Sequence, residues 1–444
     1  MTLSVAQAEA HLGRLSESAE NWSPRQVTVC GGGNGAHVAA GFMASRGIRV
    51  NVFTRQPQRW SRSISLTTAG SSWEGRGTIT GQLNLVSADA SQAVAGSEAS
   101  SPCRVVLIAA PAHAHGPLLA AVAPFVDHGA AVGALFGQGG FDWAASHAMG
   151  RHFESVGVIF GLQNIPWICR IKEHGRAAQI VGPKKCLYVA AYPVEQKGEM
   201  ARIMEAMFDI PCKTLPNFLN LTLTPSNQII HPARYYGIFR DWDGKRTYSK
   251  AELEERKGLT LYDNFDEFSA ETLAAIDNEL QQVKIALLQR FPQLDLSMVL
   301  PIAERVRLQY GEDVTDASSL RRIFCTNLGY KGCPTPMKEV SPGQYMPNAD
   351  TRLFWEDIPF GLCIIKNLAA EMLGNFPTPT TDFLIRWHQK PMGVEFLCAD
   401  GQLNPQVLDR TGSPYKYGIH RLEDLVKTCM PQGLLQYTHP RARI

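Results

Sequence analysis

Apolar residues fall into two textures along this chain. In its first half they come as short β-branched runs that stop at glycine or proline, and in its second half they recur at helical spacing. The run Gln26-Val27-Thr28-Val29-Cys30 ends at a glycine cluster, residues 36–46 are small and helical by period, and Arg49-Val50-Asn51-Val52-Phe53-Thr54 is a second strand. Strand, turn, helix and strand within about 30 residues is the size of a parallel crossover unit. Residues 105–110 run into Pro111, and residues 130–136 run into Gly137-Gln138-Gly139-Gly140. Such near-continuous apolar strands are buried on both faces, as in a doubly wound sheet. Residues 156–160, 178–181 and 187–191 are predicted to extend that sheet. Around Pro211 and Pro216 the pattern changes. Residues 267–290 form a long amphipathic helix, with further helices over 296–310, 318–326, 358–373 and 382–389, and strand-like runs almost vanish.

The turn that follows the first strand reads Gly31-Gly32-Gly33-Asn34-Gly35-Ala36, a GxGxxA pattern. Its first glycine allows the tight turn, its second lets backbone approach a pyrophosphate, and the small third residue lets helix and strand pack closely. The following helix points its N-terminal amides at the phosphates. A bare GxGxxA also occurs in surface loops, but here a strand precedes it, a helix follows and a second strand arrives on schedule. The expected architecture is an N-terminal α/β, Rossmann-type doubly wound domain over residues 26–218 and a mainly α-helical C-terminal domain over residues 219–444. An extension over residues 1–25, with one short helix over 6–15, precedes them. Cofactor-binding candidates are Gly31, Gly33, Asn34, Gly35, Ala36, Arg55 and Pro111. The second strand ends in Thr54-Arg55 with no acid for a free ribose, and Arg59 and Arg62 follow. A guanidinium there suits a 2′-phosphate or stacks on adenine, which leans toward NADPH and leaves NADH open.

Composition narrows the classes of partner. At 444 residues the chain is too long for one core and comfortable for two domains. A formal charge of +2, without a basic block, argues against nucleic acid or an anionic membrane. No apolar run reaches the roughly 18–20 residues that span a bilayer. The ten cysteines form no CxxC pair and no zinc spacing, so they read as buried thiols in a reducing compartment, and no metal is expected. The N-terminal residues lack a secretory pattern, and Glu9, Glu17 and Glu20 disfavour a mitochondrial transit peptide. The cytoplasm is the expected location.

The run Gly31-Gly32-Gly33-Asn34-Gly35-Ala36-His37 is more particular than a generic fingerprint and resembles the opine dehydrogenases of the octopine dehydrogenase type. The likeness continues through Ile165-Pro166-Trp167-Ile168-Cys169-Arg170-Ile171-Lys172-Glu173, Ile230-His231-Pro232, Asp241-Trp242-Asp243-Gly244-Lys245 and Asn327-Leu328-Gly329-Tyr330-Lys331-Gly332. It closes with Trp355-Glu356-Asp357-Ile358-Pro359-Phe360-Gly361 and Ile385-Arg386-Trp387-His388-Gln389-Lys390. The resemblance implies reductive condensation of an amino acid with a 2-oxo acid, commonly pyruvate, using NADH or NADPH. It also implies a catalytic His231 with Asp357 as its partner, Arg352 on the substrate carboxylate, and Gln138 and Cys169 lining the substrate.

Those residue types suit the chemistry. An imidazole titrating near neutral pH can take a proton from the attacking amine and return one to the departing oxygen. A carboxylate on its other nitrogen fixes the tautomer, and an arginine can hold a carboxylate bidentately. Each residue also has a plainer reading: His231 a satisfied histidine at a helix start, Asp357 a helix N-cap, Arg352 a surface arginine, Cys169 a core thiol. His113 and His115 are loop histidines near the same strand ends, and Asp316, then Asp313, compete with Asp357 as partner of the imidazole. Arg305 and Arg307 stand where relatives tend to be aromatic or apolar; facing a substrate, they would disfavour a cationic amino acid. Two further readings stay open: a dehydrogenase of a hydroxy acid or a phosphorylated alcohol, and a non-catalytic dinucleotide-binding sensor.

Overall fold

The computed structural model describes residues 26–68, 77–95, 104–374 and 376–430, so the segment 1–25 and the helix expected in it lie outside the described residues. The chain divides into two compact units. Among the described residues, the first comprises those up to Ala110, Ala114–Gly137 and Ala145–Leu215, and the second Pro111–His113, Gln138–Ala144 and those from Pro216.

The first unit is built from twelve strands: β1 (Gln26–Cys30), β2 (Arg49–Phe53), β3 (Ser63–Thr68), β4 (Thr78–Gln82), β5 (Leu85–Ser87), β6 (Arg104–Ile108), β7 (Ala131–Ala134), β8 (Val158–Leu162), β9 (Trp167–Glu173), β10 (Ala177–Pro183), β11 (Leu187–Tyr192) and β12 (Cys212–Thr214). Eight form one sheet in the order β12-β11-β8-β7-β6-β1-β2-β5, parallel from β8 to β5, with β11 running against β8. β1 pairs with β2 on one side and β6 on the other and is buried along its whole length, as its apolar run predicted.

Residues 178–181 do not extend that sheet. They lie in β10, part of a separate four-stranded sheet ordered β4-β3-β10-β9. The physical reason is visible in burial: β10 and β3 alternate buried and partly exposed positions, so each offers only one face to a core. That face covers the helix Asn34–Ser45, which packs on both sheets and is buried continuously from Ala36 to Met43. The approach is close enough to need glycine on both sides: a Cβ on Gly81 would lie 2.1 Å from the Gly41 carbonyl oxygen.

The second unit is mainly helical. Its helix Glu267–Arg290 is N-capped by Asp266, whose side chain accepts from the Ser269 amide. Leu273, Ile276, Leu280, Val283 and Leu287, spaced three and four apart, are fully buried, each worth about 1.5–3 kcal/mol of transfer free energy. The helix packs on Asn227–Phe239. His231-Pro232 therefore sits inside a helix and not at its start; only one backbone donor is lost, one turn in. The helix expected over 296–310 begins at Ile302, behind Pro301. A small sheet of β13 (Tyr248–Ser249), β14 (Met337–Ser341) and β15 (Gln344–Pro347) was not expected from the pattern; its strands are short, and β14 is mostly exposed. Among the described residues no helix is long and apolar enough to cross a membrane. Of their nine free cysteines, Cys30, Cys169, Cys363 and Cys429 are buried and five are only partly so, a correction to the expectation of uniformly buried thiols.

Candidate active site

The glycine turn has the geometry its sequence requires. Gly31 adopts φ +149°, and a Cβ there would lie 2.3 Å from the Ala109 carbonyl oxygen, so no other residue fits. Gly33 is the N-cap of the helix Asn34–Ser45 and supplies no side-chain cap, and a Cβ on it would meet nothing within 4 Å. A helix N-terminus without a side-chain cap, with open space beside Gly33, is the arrangement that accepts a pyrophosphate. Gly35 packs under Leu135, and Ala36 is fully buried. Asn34 and His37 staple the turn to the second sheet. The Asn34 Oδ1 accepts the Ile171 amide at 2.8 Å; the Gly175 amide donates to His37 Nε2 at 2.7 Å, while His37 Nδ1 lies 2.9 Å from the Gly33 carbonyl. The His37 ring stacks on Trp60 at 4.0 Å, and burial pushes its pKa down to about 4, so it is a neutral structural group. Arg55 is exposed just after β2, beside the buried Thr54, and Arg59 donates to Gln56. These residues fit a dinucleotide.

The second unit brings the candidate histidine and aspartate together. His231 Nδ1 lies 2.7 Å from Asp357 Oδ2, and His231 Nε2 lies 2.8 Å from the Tyr262 hydroxyl. Asp357 is almost fully buried, and burial pushes its carboxyl above the ordinary range while His231 pulls it back. Asp357 does not cap a helix. Its backbone is already helical and its carboxylate makes no capping bond, because it is committed to the imidazole. It precedes a segment wound as π-helix over Ile358–Leu362, an irregularity that recurs at functional sites. Asp316 is only partly buried and spends its carboxylate on the Ser318 amide and on Arg322, so it is not the imidazole's partner.

Arg352 opens the short helix Arg352–Trp355. Its Nε donates to Glu356 Oε2 at 2.5 Å, and its side chain is 57% exposed. Glu356 is buried, and its other oxygen accepts the Ala112 amide at 3.2 Å. The single carboxylate therefore ties Arg352 to the turn that contains Pro111. Gln138 is fully buried and donates to the Thr224 carbonyl at 3.0 Å. Arg305 donates to that same carbonyl at 2.7 Å, to the Pro225 carbonyl at 2.8 Å and to Ser226. Being buried in these bonds, it offers no charge to a ligand; of the two arginines weighed against a cationic donor, only Arg307 is exposed.

Cys169 belongs to the first unit, buried in the core of β9, and burial pushes its thiol up to about 11. His115 is buried with Nε2 3.0 Å from the Ala110 carbonyl, and His113 is exposed. Tyr262, Glu356 and Arg305 as a structural clamp were missed by sequence reasoning; only Glu356, adjacent to Asp357 within a matching block, carried a signal there. Among the described residues no group of three or more His, Cys, Asp or Glu is arranged to hold a metal ion.

Comparison with known proteins gives the family. A family model described as "NAD/NADP octopine/nopaline dehydrogenase, alpha-helical domain" matches residues 214–392. The chain is 31% identical to an opine dehydrogenase of Haliotis discus hannai over 414 residues, which is 90% of this chain and 98% of that one. It is equally similar, at 31% over 416 residues, to the octopine dehydrogenase of Pecten maximus, again with 90% and 98% coverage. A solved octopine dehydrogenase with NADH and L-arginine superposes with a TM-score of 0.77 at 29% identity, covering 90% of this chain and 97% of that chain.

Proposed function

Because the chain belongs to the opine dehydrogenase family, as an NAD(P)-dependent oxidoreductase acting on CH–NH groups, we propose that it condenses an amino acid with a 2-oxo acid, pyruvate first among them, and reduces the product to an N-(carboxyalkyl)amino acid. NADH or NADPH supplies the hydride; the protein's part is binding, orientation and proton transfer. The observation that carries the reading is the buried Asp357–His231 pair at 2.7 Å.

In the proposed reaction the amine nitrogen attacks the ketone carbon. His231 Nε2 takes a proton from that nitrogen and gives it to the ketone-derived oxygen, making the carbinolamine hydroxyl, and the second N–H proton follows the same route as the C–O bond breaks, so that water and the neutral imine form. Asp357 keeps the Nδ1 proton in place, so that Nε2 is the basic nitrogen, and stabilises the imidazolium that forms. Arg352, its Nε held by Glu356 and its side chain more than half exposed, is proposed to take the 2-oxo acid carboxylate. Gln138 and Cys169 are proposed to line the substrate, and Gly31, Gly33, Asn34, Gly35, Ala36, Arg55 and Pro111 to bind the cofactor.

The test is oxidation of NADH and NADPH, followed by near-ultraviolet absorbance, with pyruvate and a panel of amino acids. Amine-dependent oxidation with at least one donor is expected; its absence with every donor removes the reading, and turnover of a hydroxy acid without amine replaces it with an alcohol dehydrogenase. His231→Ala is expected to lower kcat by about a hundredfold or more while cofactor affinity stays at the wild-type value. Unchanged turnover removes His231 from the reaction.

A further inference from the structure

His231 is held at both ring nitrogens, whereas the reaction above uses the protein at only one of them. Asp357 takes Nδ1, and Nε2, the nitrogen assigned to proton transfer, lies 2.8 Å from the Tyr262 phenol. With the Nδ1 proton directed at the carboxylate, Nε2 can only accept, so the phenol is the donor. Tyr262 reaches the histidine from a different part of the fold, 31 residues along the chain. Its ring is 6% exposed, stacks on Tyr330 at 4.5 Å and faces Phe324 at 6.2 Å, so the oxygen is fixed in place. Burial holds this phenol well above its ordinary range, which leaves it a neutral donor. The other titratable groups around the cluster are Cys333 and Tyr310 beside Tyr262, and Glu356 and Arg352 beside Asp357.

Resting on the reading of His231 as the proton-transfer group, we propose that Tyr262 is a positioning residue of the reaction: its phenol donates to Nε2, fixes the plane of the ring and keeps the reactive nitrogen an acceptor until substrate takes its place. The proton balance closes. When the substrate nitrogen bonds to the ketone carbon, its N–H proton passes to the Nε2 lone pair, and a protonated Nε2 no longer accepts from the phenol, so that bond opens. The proton then leaves Nε2 for the ketone-derived oxygen, which becomes the carbinolamine hydroxyl, and the phenol recovers its acceptor; the second N–H proton takes the same path as the C–O bond breaks, releasing water and leaving the neutral imine. Because its bond exists only with the neutral ring, Tyr262 favours the base form, the opposite of what Asp357 does. A residue that merely packed against the histidine would leave its protonation unmoved.

The experiment is a ¹⁵N NMR titration of histidine-labelled full-length protein with bound reduced cofactor, wild type against Tyr262→Phe. The variant keeps the ring and its stacking. The His231 pKa is expected to rise by about half a unit to one unit in Tyr262→Phe. The acid limb of kcat/KM in the opine-oxidising direction should move up by the same amount, and turnover at neutral pH should fall about tenfold. An unchanged His231 titration overturns the proposal, and so does a shifted titration with wild-type turnover and pH profile. A wild-type protein that turns over no opine removes the functional reading itself, while the NMR comparison still decides whether Tyr262 holds Nε2.

Discussion

At the scale of single residues, Glu356 does two jobs with one carboxylate. One oxygen accepts the Ala112 amide and the other holds Arg352 Nε. A long side chain more than half exposed has little reason to keep one rotamer by itself, and a surface pair of this kind is worth little. Glu356 is different from a surface partner because it is buried and already anchored through its second oxygen. Holding Arg352 pre-ordered spares the entropy of fixing it when a carboxylate binds. Glu356→Gln keeps an acceptor for the Ala112 amide but loses the charge that pins Arg352. The expected outcome in steady-state kinetics is a KM for the 2-oxo acid raised about tenfold, with the cofactor dissociation constant unchanged. If the KM for the amino acid moves and that for the 2-oxo acid does not, Arg352 binds something other than the oxo-acid carboxylate.

At the scale of elements, the placement of His231 depends on the loop Thr224-Pro225-Ser226 that leads into the helix Asn227–Phe239. Two carbonyls and the serine hydroxyl of that loop are tied to Arg305, from the helix Ile302–Tyr310. Arg305→Met fills the space without the donors and leaves the Pro225 carbonyl without this partner, at a cost of about 3 kcal/mol. A drop of several degrees in Tm and a lower kcat should accompany unchanged cofactor affinity, since the glycine turn belongs to the other unit. A variant as stable and as active as the wild type would show the clamp to be idle. Much of the framework around these loops was legible from pattern alone. β1, β2 and the helix between them follow from β-branched runs closed by glycine, and the helix Glu267–Arg290 follows from its period. The second sheet was not, because β3, β4 and β9 are short and polar on one face, a texture that loops share. The site divides the same way. His231 and Asp357 stand in blocks particular enough to be matched, though 126 residues separate them. Tyr262 sits in no such block, and its approach to Nε2 is made by tertiary packing that no local pattern encodes.

At the scale of the whole molecule, acid should act unequally on the two units. In each unit burial pushes one imidazole from 6.5 down to about 4, His37 in the first and His388 in the second. Unfolding restores the ordinary value, so between those two pH values the unfolded chain binds protons that the folded chain refuses. Stability therefore falls as pH falls through that window, by about 3 kcal/mol per ring at its lower end. Asp142 works in the opposite sense. Burial raises it from 3.8 to about 6 despite the bond from Thr428, so between those values the folded state holds the extra proton and stability rises as pH falls. Asp142 lies in the second unit with His388, where the two contributions largely cancel, and among the described residues the other carboxyls raised by burial, Asp277 and Asp357, lie there too. The first unit has His37 and no such offset. Hydrogen exchange corrected for intrinsic rates should show protection falling between pH 6.5 and 4.5 in peptides of β1 and β2 before those of the helix Glu267–Arg290. In His37→Gln the first unit should start less stable at neutral pH and decline less steeply. Parallel loss in both units would mean that the buried imidazoles do not govern the acid response, and the neutral state assigned to His37 beneath the glycine turn would have to be abandoned.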